Sequence, residues 1–131
     1  MVDWEKRLDR IYPKLTQNSR CAICGRKAEH QHHIKPRANE LLRYDTKNLL
    51  SLCGDCHHLI HDKGIKIENY ISPARWLYLN KMMNIQFQDY LLEHNLTRDE
   101  FFAKQEKKLK EAINGKPRFL QRLSRFAIFN H

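Results

Sequence analysis

The sequence predicts a small α+β domain with helices on either side of it. Two short runs, residues 30–34 and 48–52, have the length and apolar content of strands. A short helical segment over residues 56–63 follows the second run and ends at Gly64, a natural left-handed cap position. Beyond Gly64, apolar residues recur at steps of three and four, as in amphipathic helices. The predicted core order is therefore strand, strand, helix.

Length and composition limit the classes of protein that fit. With 131 residues and a hydrophobic fraction of 41%, the chain can form one compact domain with a modest core. Its longest apolar runs are four residues, whereas a helix that spans a membrane needs about 20. The first ten residues alternate acidic and basic side chains, which is not the pattern of a secretory signal. We expect a cytoplasmic protein with no membrane partner.

The first predicted segment, residues 1–18, is mainly an amphipathic helix. Apolar side chains recur at helical spacing from Trp4 to Leu15, behind an Asp3 cap. Pro13 is expected to interrupt the helix because proline has no backbone N–H to donate. The helix is expected to pack on the central segment, residues 19–64.

The third predicted segment, residues 65–131, is a helical extension. Ser72 and Pro73 supply an N-cap and a first-turn proline for a helix that carries Trp76, Leu79 and Met83 on one face. A second helical stretch follows through Phe87, Tyr90 and Leu91.

The last predicted helix has the clearest boundaries in the sequence. Thr97 and Glu100 form a capping box at its start. It is expected to run to about Asn114, with Gly115 and Pro117 ending it.

The four cysteines form two pairs with two intervening residues each. In a chain that stays in a reducing compartment, this spacing indicates a metal site rather than a disulfide framework. Two such pairs supply the four thiolates of a closed, tetrahedral structural zinc site. The alternative is four incidental buried cysteines, but the glycines within or beside the pairs favour zinc knuckles. The predicted zinc ligands are Cys21, Cys24, Cys53 and Cys56.

Six of the eight histidines lie between residues 30 and 61, and the zinc site needs none of them. His57 and His61 are four residues apart on the predicted helix, so both project from one face and could chelate one ion. His32 and His33 are neighbours in an extended segment, where adjacent side chains point to opposite sides. One of these two can bind the ion while the other acts on a water molecule. A metal ion beside a base is what phosphodiester hydrolysis requires.

The arrangement of these residues resembles the HNH endonuclease motif in its four-cysteine form. Residues 32–37 read His-His-Ile-Lys-Pro-Arg, and an asparagine, Asn48, stands nine residues before His57. Both cysteine pairs occur in the matching order, and the similarity covers about residues 20–63. The small size and basic extension are also similar in style to phage-encoded HNH proteins of recombination, packaging or mobility.

The resemblance implies a ββα-metal fold, also called a His-Me finger, and a nuclease that hydrolyses DNA. It implies that His33 is the general base and that Asn48 fixes the loop geometry around it. It implies that His32 and His57 hold a catalytic Mg²⁺ or other divalent ion. We expect no small-molecule cofactor. His61 matches an additional ligand of colicin-type DNases, which many HNH enzymes lack.

The charge balance fits a nucleic-acid partner. The chain has 24 Lys and Arg against 15 Asp and Glu, a formal net charge of +9. We expect double-stranded DNA, although nothing in the sequence separates DNA from RNA. The main alternative function is a non-catalytic zinc-bound module for DNA binding or assembly, and each histidine and Asn48 could have a purely structural role. The predicted nucleic-acid contacts, each of which could instead be a solvated cation, are Lys35, Arg37, Arg118, Arg122 and Arg125.

Overall fold

The computed structural model describes residues 3–130, with side chains described for residues 3–115. The fold is α+β, as predicted: one two-stranded antiparallel sheet lies among helices. Short 3₁₀ turns at residues 12–16, 46–48 and 67–70 connect the main elements. Those elements are α1 (Asp3–Ile11), β1 (His30–His33), β2 (Leu49–Leu52), α2 (Gly54–Lys63), α3 (Pro73–Met83), α4 (Phe87–Glu93) and α5 (Arg98–Asn130).

The β1–β2 ribbon has a core on each of its two faces. His32 pairs with Leu50 and His33 pairs with Leu49. Because side chains alternate along a strand, Leu49 joins a large core with α1 and the C-terminal helices, whereas Leu50 joins a smaller core that contains three of the cysteines. The two neighbouring histidines are therefore directed to different environments.

Helix α2 begins directly after β2 and confirms the predicted strand, strand, helix order. Cys53 is its N-cap, and the Cys53 Sγ accepts a hydrogen bond from the backbone N–H of Cys56 (3.4 Å). This cap lets the helix begin at Gly54, two residues earlier than predicted. Gly64 ends the helix with a φ of 63°, the left-handed conformation that glycine adopts without steric cost.

The large core joins parts of the chain that are distant in sequence. Leu8 of α1, Tyr44 of the loop between the strands and Phe102 of α5 are all fully or nearly fully buried in it. The Trp4 ring stacks on the Phe102 ring with a centroid distance of 3.7 Å. The division into segments 1–18, 19–64 and 65–131 remains a prediction. In the structure, α1 and α5 together support the loop that leads from β1 to β2.

Two of the predicted helix starts are confirmed. The Ser72 hydroxyl accepts from the N–H of Arg75 at the start of α3 (3.1 Å). Thr97 and Glu100 exchange side-chain to backbone hydrogen bonds at the start of α5, at 3.0 and 3.1 Å. On α3, Leu79 is buried as predicted, but Met83 is exposed.

The predicted end of the last helix is wrong, because α5 continues from Arg98 to Asn130. A glycine ends a helix by adopting the left-handed conformation, and Gly115 does not have a positive φ. Its intrinsic cost within a helix, about 1 kcal/mol, is a weak preference that the surrounding helix-forming residues outweigh. Within the described part of the chain, no helix has the length and apolar content needed to cross a membrane.

Candidate metal centres and active site

The four predicted zinc ligands come together in one cluster. Their four Sγ atoms lie within 4.8 Å of one another, and the Cys24 and Cys53 Sγ atoms are 3.6 Å apart. A tetrahedral zinc ion with Zn–S bonds of 2.3 Å places its sulfur atoms about 3.8 Å apart. Cys24 is exposed and the other three are buried. The cluster therefore fits the closed site of a structural zinc ion.

Local backbone geometry brings the first cysteine pair to the second. Gly25 has a φ of 79°, which turns the chain back after Cys24. The knuckle then joins β2, since the N–H of Ala22 donates to the Ser51 carbonyl (2.9 Å). Burial raises the pKa of the Cys21 thiol, but backbone N–H groups that include that of Cys24 lower it more, to about 6. Cys21 is thus favoured as the thiolate that a metal ion requires.

The three predicted histidine ligands form a second cluster. Each of His32, His57 and His61 offers a ring nitrogen, and these nitrogens lie within 4.8 Å of one another. The Nε2 atoms of His57 and His61 are 3.3 Å apart across one turn of α2. His32 approaches them from β1, with its ring centroid 5.4 Å from that of His57.

The protonation state of this cluster suits metal binding. Burial and, to a smaller extent, the neighbouring His57 and His61 imidazoles together lower the pKa of His32 to about 4. Burial and the neighbouring imidazoles also lower the pKa of His57. Neutral imidazole is the form that binds metal, so these shifts favour the binding form of His32 and His57. Three nitrogen donors suit Zn²⁺, Ni²⁺ or a similar ion, whereas Mg²⁺ prefers oxygen ligands.

His33, at the end of β1, is held by the main chain of the loop between the strands. Its Nε2 lies 2.9 Å from the carbonyl oxygen of Arg43. A carbonyl only accepts hydrogen bonds, so this Nε2 carries the proton and Nδ1 keeps its lone pair. Burial lowers the pKa of His33, the Arg43 carbonyl raises it, and the cations of Arg37 and Arg43 lower it, with a net decrease. A neutral imidazole with a free Nδ1 can accept a proton.

Asn48 joins the two ends of the loop that carries Arg43. Its side chain is fully buried. The backbone N–H of Lys35 donates to Asn48 Oδ1 (2.6 Å), and Asn48 Nδ2 donates to the carbonyls of Leu42 (3.0 Å) and Lys35 (3.2 Å). All three contacts are to main chain, so the amide determines the path of the loop beside His33.

The predicted nucleic-acid contacts occupy varied positions. Lys35 Nζ donates to Asn80 Oδ1 of α3 (2.6 Å) and lies 4.1 Å from the centre of the Trp76 ring, so its ammonium group is engaged within the protein. Arg37 is half exposed and pairs with Asp9 of α1 (3.3 Å). Three further predicted contacts have side chains outside the described residues: Arg118, Arg122 and Arg125. All five assignments remain predictions.

The acidic residues that surround Arg43 were not predicted from the sequence. Arg43 Nη1 donates to Glu5 Oε1 (2.8 Å), and Arg43 Nη2 contacts both carboxylate oxygens of Asp9, at 3.2 and 3.3 Å. The Tyr44 hydroxyl also donates to Asp9 (2.7 Å). A signal was present: Glu5 and Asp9 are four residues apart and share one face of α1.

Comparison with known proteins agrees with this geometry. Residues 21–63 match the family model described as HNH endonuclease. The matched segment contains both clusters, His33 and Asn48. Residues 21–63 are the segment that resembles this family, and we call them the HNH domain. The resemblance expected from the sequence is therefore confirmed for this segment.

The chain is also similar, over part of its length, to a much longer protein. The chain is 31% identical over 74 residues to a protein named mitochondrial DNA mismatch repair protein mutS homolog, from Sarcophyton glaucum. The alignment covers 49% of this chain and 8% of that protein. No solved structure matches the chain. The HNH family model does not cover helices α1 and α3 to α5.

Proposed function

We propose that this protein is a metal-dependent endonuclease that hydrolyses phosphodiester bonds of double-stranded DNA. The observation that carries the proposal is the state of His33. Its Nε2 is bound to the Arg43 carbonyl, its Nδ1 has no hydrogen-bond partner among the described side chains, and its neighbour His32 belongs to the three-histidine cluster. A base beside a metal-binding cluster is the arrangement that activated water chemistry requires.

His33 acts on the attacking water in this proposal. Nδ1 removes a proton from the water while its oxygen forms a bond to phosphorus, and the bond between phosphorus and the leaving sugar oxygen breaks. The Arg43 carbonyl stabilises the imidazolium that forms, because it accepts the Nε2 proton in both states. Asn48 keeps that carbonyl in place through its bond to the adjacent Leu42 carbonyl.

The two metal clusters have different tasks. The residues that would hold the catalytic divalent ion are His32, His57 and His61, and such an ion stabilises negative charge that develops on the phosphate and the leaving oxygen. The four cysteines would hold a structural zinc ion that fixes α2 against the strands. This places His57 opposite His32. Because the thiolates need reducing conditions, we place the protein in the cytoplasm.

A plasmid assay tests the proposal. Purified protein is incubated with supercoiled plasmid in Mg²⁺, Mn²⁺, Ni²⁺ or EDTA, alongside His33→Ala and His58→Ala variants of equal zinc content. His58 is the matched control, since it lies on α2 but pairs with Asp62 (2.6 Å) instead of joining the cluster. We expect ion-dependent nicking by the native chain and His58→Ala and none by His33→Ala.

Two results would contradict the proposal. Nicking by His33→Ala at the native rate would remove His33 from the reaction. If no variant cuts in any ion while all of them bind the plasmid, the protein is a zinc-bound DNA-binding module instead.

A further inference from the structure

Arg43 connects two parts of the molecule through two different groups. Its carbonyl oxygen accepts the Nε2 proton of His33 at 2.9 Å. Its guanidinium group is bound by two carboxylates of α1, with Glu5 at 2.8 Å and Asp9 at 3.2 Å. Helix α1 lies outside the segment that matches the HNH family. The partner of the proposed base is therefore held from outside the HNH domain.

We infer that Asp9 and Glu5 are positioning residues for His33. This inference rests on the proposed function, in which His33 is the base. The acids hold the guanidinium of Arg43, and the main chain of Arg43 in turn determines which nitrogen of His33 carries the proton. α1 thereby becomes a part of the active site although it contributes no group that touches the reacting atoms.

Asp9 holds both sides of the peptide that contacts His33. The carbonyl of Arg43 belongs to the peptide between Arg43 and Tyr44. Asp9 binds the guanidinium of the first residue and accepts the hydroxyl proton of the second (2.7 Å). Both residues that flank this peptide are thereby anchored to α1, which restricts movement of the backbone between them. The carbonyl therefore keeps its direction toward His33.

The surroundings restrict exchange of these contacts with water. The side chains of Arg43 and Asp9 are each about one-fifth exposed, at 20%. The Tyr12 ring, directly after α1, packs edge-on against His33 with a centroid distance of 5.3 Å and lies 6.1 Å from the Tyr44 ring. Partly buried ion pairs are screened less than exposed ones. The contacts of Asp9 are thus suited to hold the Arg43 carbonyl in position beside His33.

Loss of the Asp9 charge should allow His33 to populate both of its neutral tautomers. In neutral histidine either nitrogen can carry the proton, and a fixed carbonyl at Nε2 selects one form. Without the fixed carbonyl, a share of His33 would carry the proton on Nδ1. That form has no lone pair for the attacking water, so turnover falls while DNA binding does not.

The test compares two ion pairs that both involve α1. Asp9→Asn removes the charge that holds Arg43. Glu106→Gln removes the partner of Arg7 (2.9 Å), which ties α1 to α5 without contact to Arg43, and serves as the matched control. For the full chain loaded with zinc, kcat and KM are measured for plasmid nicking in the ion most active with the native chain. The ¹⁵N shifts of the His33 ring, assigned by comparison with His33→Ala, report the tautomer.

We expect Asp9→Asn to lower kcat about 10- to 100-fold, with KM within twofold of the native value. Its His33 shifts should move from one tautomer to a mixture, and Glu106→Gln should leave both readouts unchanged. Glu5→Gln affects one contact, whereas Asp9→Asn affects the two to Arg43 and those to Tyr44 and Arg37. Glu5→Gln should therefore give a smaller effect in the same direction. If Asp9→Asn does not fold, the kcat and the His33 ring shifts of Glu5→Gln test the inference instead.

Three results would overturn the inference. The first is a native kcat and a native His33 tautomer in Asp9→Asn or, if that variant does not fold, in Glu5→Gln. The second is a rise in KM of the same variant with no loss of kcat. The third is a loss of kcat in Glu106→Gln equal to that in Asp9→Asn. The ring shifts do not depend on activity. If His33→Ala still nicks DNA, the proposed function fails, whereas the tautomer measurement still decides whether α1 positions His33.

Discussion

His57 and His61 lie one turn apart on α2, with their Nε2 atoms 3.3 Å apart. Two nitrogens at this distance fit neighbouring positions around one ion with metal–nitrogen bonds of about 2.1 Å. His32 adds a third donor from β1. Because the donors come from two elements, the cluster forms only when α2 is docked on the ribbon. Cys53 and Cys56, at the start of α2, connect this helix to Cys21 and Cys24 in the four-cysteine cluster.

Removal of one imidazole from the cluster should weaken binding of a second metal ion. For zinc-loaded protein titrated with Ni²⁺, we expect His57→Ala to lower the affinity more than about 100-fold, since loss of an outer partner alone costs 10- to 100-fold. Isothermal titration calorimetry measures this, with His58→Ala as the control. Unchanged Ni²⁺ affinity in His57→Ala would exclude His57 as a ligand.

Loss of one thiolate should destabilise the whole domain. Cys24→Ser keeps the size of the side chain but removes the strong ligand at the exposed corner of the site. We expect loss of bound zinc and a decrease in Tm of at least about 10 °C, which corresponds to about 3 kcal/mol. Arg26→Gln changes the same knuckle at an exposed pair with Asp55 and should leave zinc content and Tm unchanged. Full zinc content in Cys24→Ser would contradict a four-cysteine site.

The buried amide of Asn48 should contribute to both stability and activity. Asn48→Ala leaves the N–H of Lys35 without its acceptor and removes one of the two donors to the carbonyl of Leu42, which keeps the N–H of Asp45. We expect a loss of about 2–4 kcal/mol in the free energy of unfolding, measured in urea, and a decrease in nicking. Asn84→Ala, at the exposed end of α3, is the control and should change stability by less than about 0.5 kcal/mol. A native free energy of unfolding would make Asn48 an ordinary turn residue.

Much of the HNH domain could be predicted because its motifs consist of residues that are close together in sequence. The spacing of the cysteines predicted the four-sulfur cluster, and the step of four between His57 and His61 predicted a shared face of α2. Strand and helix bounds were correct within two residues. Residues near one another in sequence determine the geometry within each pair, and the four ligands that a zinc site needs predicted that the two cysteine pairs meet across 29 residues.

The missed features depend on contacts that are distant in sequence. Arg43 meets Glu5 and Asp9 across more than 30 residues, so no motif links them. Lys35 stands within the motif, and yet its ammonium group binds Asn80, 45 residues away. The end of α5 was missed for a different reason. Gly115 and Pro117, two residues later, resemble the end of a helix. Gly115 does not adopt the left-handed backbone conformation that would end it.

The capping box of α5 should have a measurable and pH-dependent effect. Thr97→Ala removes the hydroxyl that accepts the N–H of Glu100 and should cost about 1 kcal/mol. Hydrogen bonds from the backbone N–H and side chain of Thr97 lower the pKa of Glu100. The contribution of this carboxylate is therefore present at neutral pH and is lost as the pH falls through the lowered pKa. An NMR titration should find the pKa of Glu100 higher in Thr97→Ala, and an unchanged value would contradict the capping geometry.

The C-terminal arginines provide the last test, because their contact with DNA is predicted from sequence alone. Neutralising a cation that binds phosphate reduces the slope of log affinity against log salt by about 0.9. If all three bind phosphate, replacing them with alanine should reduce the slope by about 3 and weaken binding to duplex DNA. Replacement of three exposed lysines earlier on α5 is the charge-matched control. An equal change in both triple variants would mean that net charge, rather than an arginine contact, attracts DNA. The arginines are Arg118, Arg122 and Arg125, and the control lysines are Lys107, Lys108 and Lys110.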